Sequence, residues 1–146
     1  MATWTPVEYA QNDAVRIAYD RLTGSSGDPL LLVMGLGTSR FWWPVGLCQE
    51  FADRGFEVVR YDQRDAGDST RMPDTSPNNP FVALFAKKGD AYTAEDMTDD
   101  AVAVMDAIGW PRAHVFGHSM GGTLAQRIAL QHRDRVLSII SSAAVP

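Results

Sequence analysis

Apolar positions along the chain fall into two kinds of pattern, short unbroken runs and stripes at helical spacing. Leu30-Leu31-Leu32-Val33-Met34 is an unbroken run that stops at Gly35. A run without polar alternation suits a strand buried on both faces, as in a parallel sheet. Ahead of it, residues 7–10 and 15–23 predict two strands, joined by a hairpin turn at Gln11-Asn12-Asp13. A helix is predicted over 43–54, with Leu47, Cys48 and Phe51 on its apolar face and Gly55 as its stop. Glu57 to Tyr61 reads as the next strand. Residues 65–92 are rich in Asp, Pro, Asn and Gly. So long an irregular stretch is uncommon in a compact domain, so the segment is functional or holds a short helix around 80–87.

The second half is more regular. Met97, Ala101, Val104, Met105 and Ile108 make one apolar stripe and predict a helix over Ala94 to Ile108. Thr93 can cap it, and Glu95, Asp96, Asp99 and Asp100 place negative charge toward its positive end. His114-Val115-Phe116 follows as a short strand, Met120 to His132 as a helix, and Val136 to Ala143 as a last strand. This alternation predicts an α/β fold: a mostly parallel sheet of about six strands, flanked by helices, with the opening hairpin as an antiparallel edge. No repeat or linker interrupts residues 1–146, so a single domain is expected.

Composition narrows the function classes. Of 146 residues, 45% are hydrophobic, and 13 Lys plus Arg stand against 18 Asp plus Glu, a formal net charge of −5. A nucleic-acid partner needs a basic face, and none is visible. The lone cysteine, Cys48, offers neither an internal disulfide nor a metal-ligand cluster. The N-terminus lacks the basic start and apolar core of a signal peptide. No apolar run approaches the ~18 residues of a membrane span. The expectation is a soluble, cytoplasmic protein with no membrane or nucleic-acid partner and no metal.

The chemistry concentrates at Gly117-His118-Ser119-Met120-Gly121, followed by Gly122. This is G-x-S-x-G between a predicted strand and a predicted helix, the setting in which a sharp turn exposes a nucleophilic serine above a sheet. The helix opening at Met120 would aim free N–H groups at negative charge forming beside Ser119. A second glycine pair, in Met34-Gly35-Leu36-Gly37, follows the third strand. A backbone N–H from that loop can complete an oxyanion hole, the candidate donors being the amides of Leu36 and Met120. The plainer alternative is that Gly35 and Gly37 serve only a tight turn.

Four stretches together resemble the N-terminal half of an α/β-hydrolase-fold serine hydrolase, and within that fold the aclacinomycin methylesterase-like esterases. They are Leu31 to Gly35, Trp43-Pro44, Arg60 to Ser69, and Gly117 to Gly122. Met34-Gly35 stands where many relatives carry His-Gly in the oxyanion loop. The resemblance implies a structural role for Asp62 and Arg64, a carboxylate–guanidinium pair that with a tight Gly67 turn holds the loop near the nucleophile.

A serine hydroxyl needs a base, and the three histidines are poorly placed. His118 adjoins Ser119, where neighbouring side chains diverge. His114 lies roughly 16 Å back along a strand at ~3.3 Å per residue. His132 lies roughly 20 Å along a helix at ~1.5 Å per residue. In this fold the order is serine, acid, histidine. After Ser119 only Asp134 is acidic, at the far end of the helix. The resemblance therefore implies further strands, a lid, an aspartate and a histidine outside this chain. They are expected on a complementary C-terminal chain or fragment, with truncation of a longer chain as the alternative.

Phe41, Trp42 and Trp43 after the oxyanion loop, with Phe81, Leu84 and Phe85 in the long segment, could form an apolar wall. Of these, Trp42, Trp43, Phe81 and Phe85 are the candidate substrate contacts. Core packing is the alternative for each. The expected function is a cofactor-free hydrolase of a small, apolar or aromatic carboxylic ester. Alternatives are a lactonase, a C–C hydrolase, a cofactor-free perhydrolase, or a half-domain that binds a small molecule without turning it over.

Overall fold

The computed structural model describes residues 3–72 and 92–146. Its six strands are β1 (Glu8–Asn12), β2 (Val15–Arg21), β3 (Asp28–Val33), β4 (Phe56–Tyr61), β5 (Ala113–His118) and β6 (Val136–Ser142). They form one sheet in the order β1-β2-β4-β3-β5-β6. β4, β3, β5 and β6 run parallel to one another, whereas β1 and β2 pair antiparallel and β2 joins β4 antiparallel. The predicted class and the antiparallel edge are both present. The hairpin turn itself falls at Asp13-Ala14, not at Gln11-Asn12-Asp13. Asp13 takes φ 51°, a left-handed conformation that aspartate tolerates better than most residues, so Gln11 and Asn12 stay in the strand.

The unbroken apolar run of β3 is explained by helices on both faces. Leu31 and Val33 point toward α2 (Ala94–Ile108) and α3 (Met120–Gln131), joining Met97, Ala101, Val104, Met105, Leu124 and Ile128 in one core. Leu30, Leu32 and Met34 point the other way, toward Cys48 of α1 (Val45–Asp53) and Trp43. Phe116 of β5 extends that second layer, with Trp43 edge-on at 5.1 Å and Phe51 at 5.8 Å. α1 buries Cys48 but leaves Leu47 exposed, so the expected three-residue face is narrower than its spacing implied.

The α2 boundaries match the sequence signals. Thr93 accepts from the Asp96 amide at 3.2 Å while the Asp96 carboxylate accepts from the Thr93 amide at 2.7 Å, a reciprocal capping box. Gly109 closes the helix in a left-handed conformation at φ 84°. The short helix expected around 80–87 lies outside the described residues.

Two buried ion clusters tie loops to this frame. Arg40 donates to Asp20 at 2.9 Å, to Asp68 at 3.1 Å, and to Asp62; Arg60 donates to Asp20 at 2.7 Å. Arg64 forms a two-pronged pair with Asp100 of α2, at 2.7 and 2.8 Å, and Asn12 of β1 adds a bond to the same carboxylate at 2.8 Å. Asp62 and Arg64 are thus not partners of each other, contrary to the expectation. Each reaches across the fold to a separate cluster. The expected scaffolding role fits them better in this form, because Asp62 also accepts from the amides of Arg40 and Asp68 at 2.6 and 2.9 Å. Its carboxylate fills the space where a Gly67 side chain would be.

Removing one member of a buried pair leaves an uncompensated charge, which typically costs 3–5 kcal/mol. Asp100→Ala is expected to lower stability by about that amount, read as a shift in the urea midpoint. Burial pushes the Cys48 thiol up to about 11, so the fold favours the neutral form. That contribution is complete below the ordinary thiol range near pH ~8.5 and is lost as pH rises through the folded value. Stability should therefore fall between roughly pH 9 and 11, with the Cys48 share of the fall absent in Cys48→Ala.

Candidate active site

The site begins with a close approach of backbones. α3 starts directly against the end of β3, where a side chain on Gly121 would overlap the carbonyl oxygen of Val33 and come within 2.8 Å of that of Met34. A side chain on Gly117 would overlap the Gly121 carbonyl. Glycine at both positions is what lets strand and helix meet with only Ser119 between them to make the turn. Ser119 takes the turn at φ 57° and ψ −128°, a conformation that strains any residue with a Cβ. Its amide donates to the Ser142 carbonyl at 2.8 Å, and its own carbonyl accepts from the Gly122 amide at 2.8 Å. The turn is thus pinned from both sides while the side chain of Ser119 remains exposed.

The loop after β3 meets this serine. A Cβ on Gly35 would lie 3.1 Å from Ser119 Cβ and 3.5 Å from its Oγ. Leu36, the next residue, packs its side chain against the core. The Met120 side chain is buried in that core, while its amide opens α3. Among the described residues, the Met120 amide finds no backbone acceptor outside the helix. The arrangement places a hydroxyl, a helix start and a glycine loop at one point on the carboxyl edge of the parallel strands.

The histidines are engaged elsewhere. His114 Nδ1 lies 2.7 Å from Ser138 Oγ, His118 Nδ1 lies 3.4 Å from Ser142 Oγ, and His132 Nε2 lies 3.0 Å from Asp99. Asp134 sits in a 3₁₀ turn beyond the far end of α3. Among the described residues, no side chain makes a hydrogen bond to the Ser119 hydroxyl.

The aromatic residues divide. Trp42 is 68% exposed on a 3₁₀ turn (Arg40–Trp42), beside the exposed ring of Phe41. Trp43 is 3% exposed and packed edge-on against Phe116, so it is a core side chain and not part of a pocket wall. Trp42 ends the 3₁₀ turn while Trp43 takes an extended conformation at φ −69° and ψ 119°, and that change of backbone separates these neighbours. Phe81 and Phe85 lie outside the described residues, as does Leu84. A cavity of about 590 Å³ opens from Ser119 and Met120 along α3 to Leu130, closed on its other side by Ala143 to Pro146. Among the described residues, no cluster of His, Cys, Asp and Glu could hold a metal ion, and no helix is long and apolar enough to cross a membrane.

Sequence reasoning missed the clusters built on Arg40 and Asp100, and Gln63, whose amide reaches the carbonyl of Met34. No local signal marks any of them, because their partners stand 20 to 88 positions away.

Residues 28–146 match the model of the alpha/beta hydrolase fold family. The chain is 32% identical to rhodomycin D methylesterase DauP of Streptomyces sp. strain C5, over 92% of this chain and 41% of that enzyme. It is 33% identical to rhodomycin D methylesterase DnrP of Streptomyces peucetius, with the same coverage. Among solved structures, Est816, described as an N-acyl homoserine lactone degrading enzyme, superimposes with a TM-score of 0.71 at 30% identity, over 92% of this chain and 45% of that one. The chain thus spans about two-fifths of the length of these curated relatives.

If the strain at Ser119 comes from its Cβ, glycine should relieve it and alanine should not. Ser119→Gly is expected to be more stable than Ser119→Ala by about 1 kcal/mol, the part of ~1–3 kcal/mol of strain left after glycine's greater chain entropy. Denaturant unfolding of the two variants checks this.

Proposed function

Because the chain belongs to the alpha/beta hydrolase fold family, we propose that it carries the nucleophile half of a serine-dependent hydrolase acting on carboxylic esters of small, apolar or aromatic molecules. The observation that carries this reading is the strained, exposed Ser119 at the head of α3, packed against Gly35 of the loop after β3. A pure binding module has no evident use for such strain.

In the proposed reaction, Ser119 Oγ attacks the ester carbonyl carbon while a histidine takes its proton. The carbonyl oxygen becomes an oxyanion held by the amides of Leu36 and Met120. The intermediate collapses with cleavage of the carbon–oxygen bond to the alcohol, which leaves with the proton returned by the histidine. Water then repeats the sequence, releasing the acid and freeing Ser119. Neither a metal nor an organic cofactor enters these steps.

The histidine and its orienting aspartate come, in this reading, from a complementary C-terminal chain or fragment. Two observations support that division. The histidines present are bonded away from Ser119. β6 has Leu137, Ile139 and Ile140 exposed along the sheet edge, the kind of surface that proteins ordinarily cover. The same nucleophile would open a lactone, an internal ester, and the 30% identity to Est816 favours testing it.

A fluorophosphonate should label Ser119 in the complemented protein and fail to label Ser119→Ala. The 146-residue chain alone should hydrolyse p-nitrophenyl esters and lactones no faster than buffer. Addition of the complementing segment should bring turnover, lost by at least ~10³-fold in Ser119→Ala. Labelling without turnover of any ester or lactone would favour the binding module, and serine-independent turnover would overturn the proposal.

A further inference from the structure

Gln63 stands two residues beyond β4, 2% exposed, beside the loop that follows β3. Its Nε2 donates to the carbonyl oxygen of Met34 at 3.3 Å and lies 3.5 Å from Tyr61 Oη. Its Oε1 is buried with no partner among the described residues. A buried amide with half its hydrogen-bonding capacity unused is a poor packing residue, since the unpaired oxygen lowers stability. Leu or Met would fill the same volume without that penalty. What the amide offers is one directed donor.

The acceptor of that donor is unusually placed. The Met34 carbonyl belongs to the peptide joining Met34 to Gly35, and the following peptide bears the Leu36 N–H. The same oxygen faces the start of α3, where it lies 2.8 Å from the position a Gly121 Cβ would take. Gly35 in turn abuts Ser119. Rotation of the Met34–Gly35 peptide would therefore disturb the contact with α3, the contact with Ser119 and the direction of the Leu36 amide together. On the far side of the loop, Thr38 Oγ1 donates to the Gly35 carbonyl at 2.9 Å, which holds the peptide bearing the Leu36 N–H at one end and leaves the Met34–Gly35 peptide before it to Gln63.

We propose that Gln63 is a positioning residue for ester hydrolysis, holding the Met34 carbonyl so that the Leu36 and Met120 amides converge on one oxyanion. This rests on the hydrolase reading above. Gln63 touches no reacting atom. Its contribution is made through the loop after β3 and appears when charge develops on the carbonyl oxygen. Substrate binding in the ground state is left almost unchanged.

The test has one readout that needs no turnover. Methionine precedes glycine at only two places in the sequence, Met34-Gly35 and Met120-Gly121. Labelling methionine carbonyls with ¹³C and glycine amides with ¹⁵N therefore yields two carbonyl–amide cross-peaks, one for each side of the site. In Gln63→Met, which keeps the volume and removes the donor, the Met34 carbonyl resonance is expected to shift and that of Met120 to stay. In the complemented hydrolase the same variant should lose about five- to tenfold in kcat, the value of one hydrogen bond, with KM within about twofold.

Gln63→Glu supplies the second variant, since its carboxyl can donate only when protonated. Its kcat relative to the unsubstituted protein should climb as pH falls, a trend that a packing defect would not produce. Should Gln63→Met fail to fold, this pH trend decides. An unmoved Met34 resonance, an unchanged kcat, or a flat Gln63→Glu ratio would overturn the assignment. If Ser119→Ala retains full turnover, the hydrolase reading fails and the catalytic assignment falls with it; the cross-peaks then report separately whether Gln63 holds the loop.

Discussion

Everything at the carboxyl edge of the sheet follows from how close α3 is allowed to come to β3. With side chains at 117 and 121, the helix would have to stand off from the Val33 and Met34 carbonyls, and the turn between β5 and α3 would lengthen. Held this tightly, the backbone at Ser119 has only a left-handed route into the helix. The strain is small beside the packing that enforces it. Leu124, Ala125 and Ile128 of α3 are wholly buried against β3 and β5, and each large apolar side chain buried contributes roughly 1.5–3 kcal/mol. The packing of an ordinary amphipathic helix thus holds an exposed serine in a conformation it would not otherwise keep.

The second requirement is that the loops facing Ser119 hold still, and here the chain relies on buried charge. Arg40 follows the glycine loop, and Asp62, Gln63 and Arg64 follow β4. Burial alone would lower the pKa of Arg40, but the carboxylates of Asp20, Asp62 and Asp68 outweigh it and keep it above its ordinary value. Arg64 is held the same way, chiefly by Asp100. Such clusters add little net stability compared with apolar residues of the same volume. Their directional bonds do fix where a loop stops, which apolar contact does poorly. The cation rings reinforce this: Arg60 lies 3.6 Å from the centre of the Trp4 ring, and Arg40 lies 4.4 Å from that of Phe41.

What was legible in the sequence was local. The run Leu30 to Met34 showed a doubly covered strand, Thr93 and the stripe from Met97 to Ile108 showed a capped helix, and the glycines around Ser119 showed a sharp turn. Each signal lies within one element, where spacing alone constrains geometry. What was illegible depends on distant partners or on a single step of register. Asp62 and Arg64 look like a pair in sequence because they are two residues apart. In the fold each finds a different partner, Arg40 or Asp100. Trp42 and Trp43 are equally aromatic, yet the end of a 3₁₀ turn between them sends the first to solvent and the second against Phe116. Gln63 had no signal at all, since its acceptor is a backbone carbonyl 29 positions earlier.

These two layers of constraint have different chemical consequences. The glycine contacts and the α3 packing fix the serine itself, while the hydrogen bonds of Gln63 and Thr38 fix the loop that abuts it. A hydroxyl can swing through a rotamer change with little loss, because attack needs only one favourable approach. An oxyanion held by two amides is less forgiving, since both must point at the same atom when its charge appears. Small glycines can create the space for that convergence but cannot direct an amide within it. Directing it takes hydrogen bonds to the peptides of the loop, and Gln63 and Thr38 hold two successive peptides there by their carbonyls, those of Met34 and Gly35.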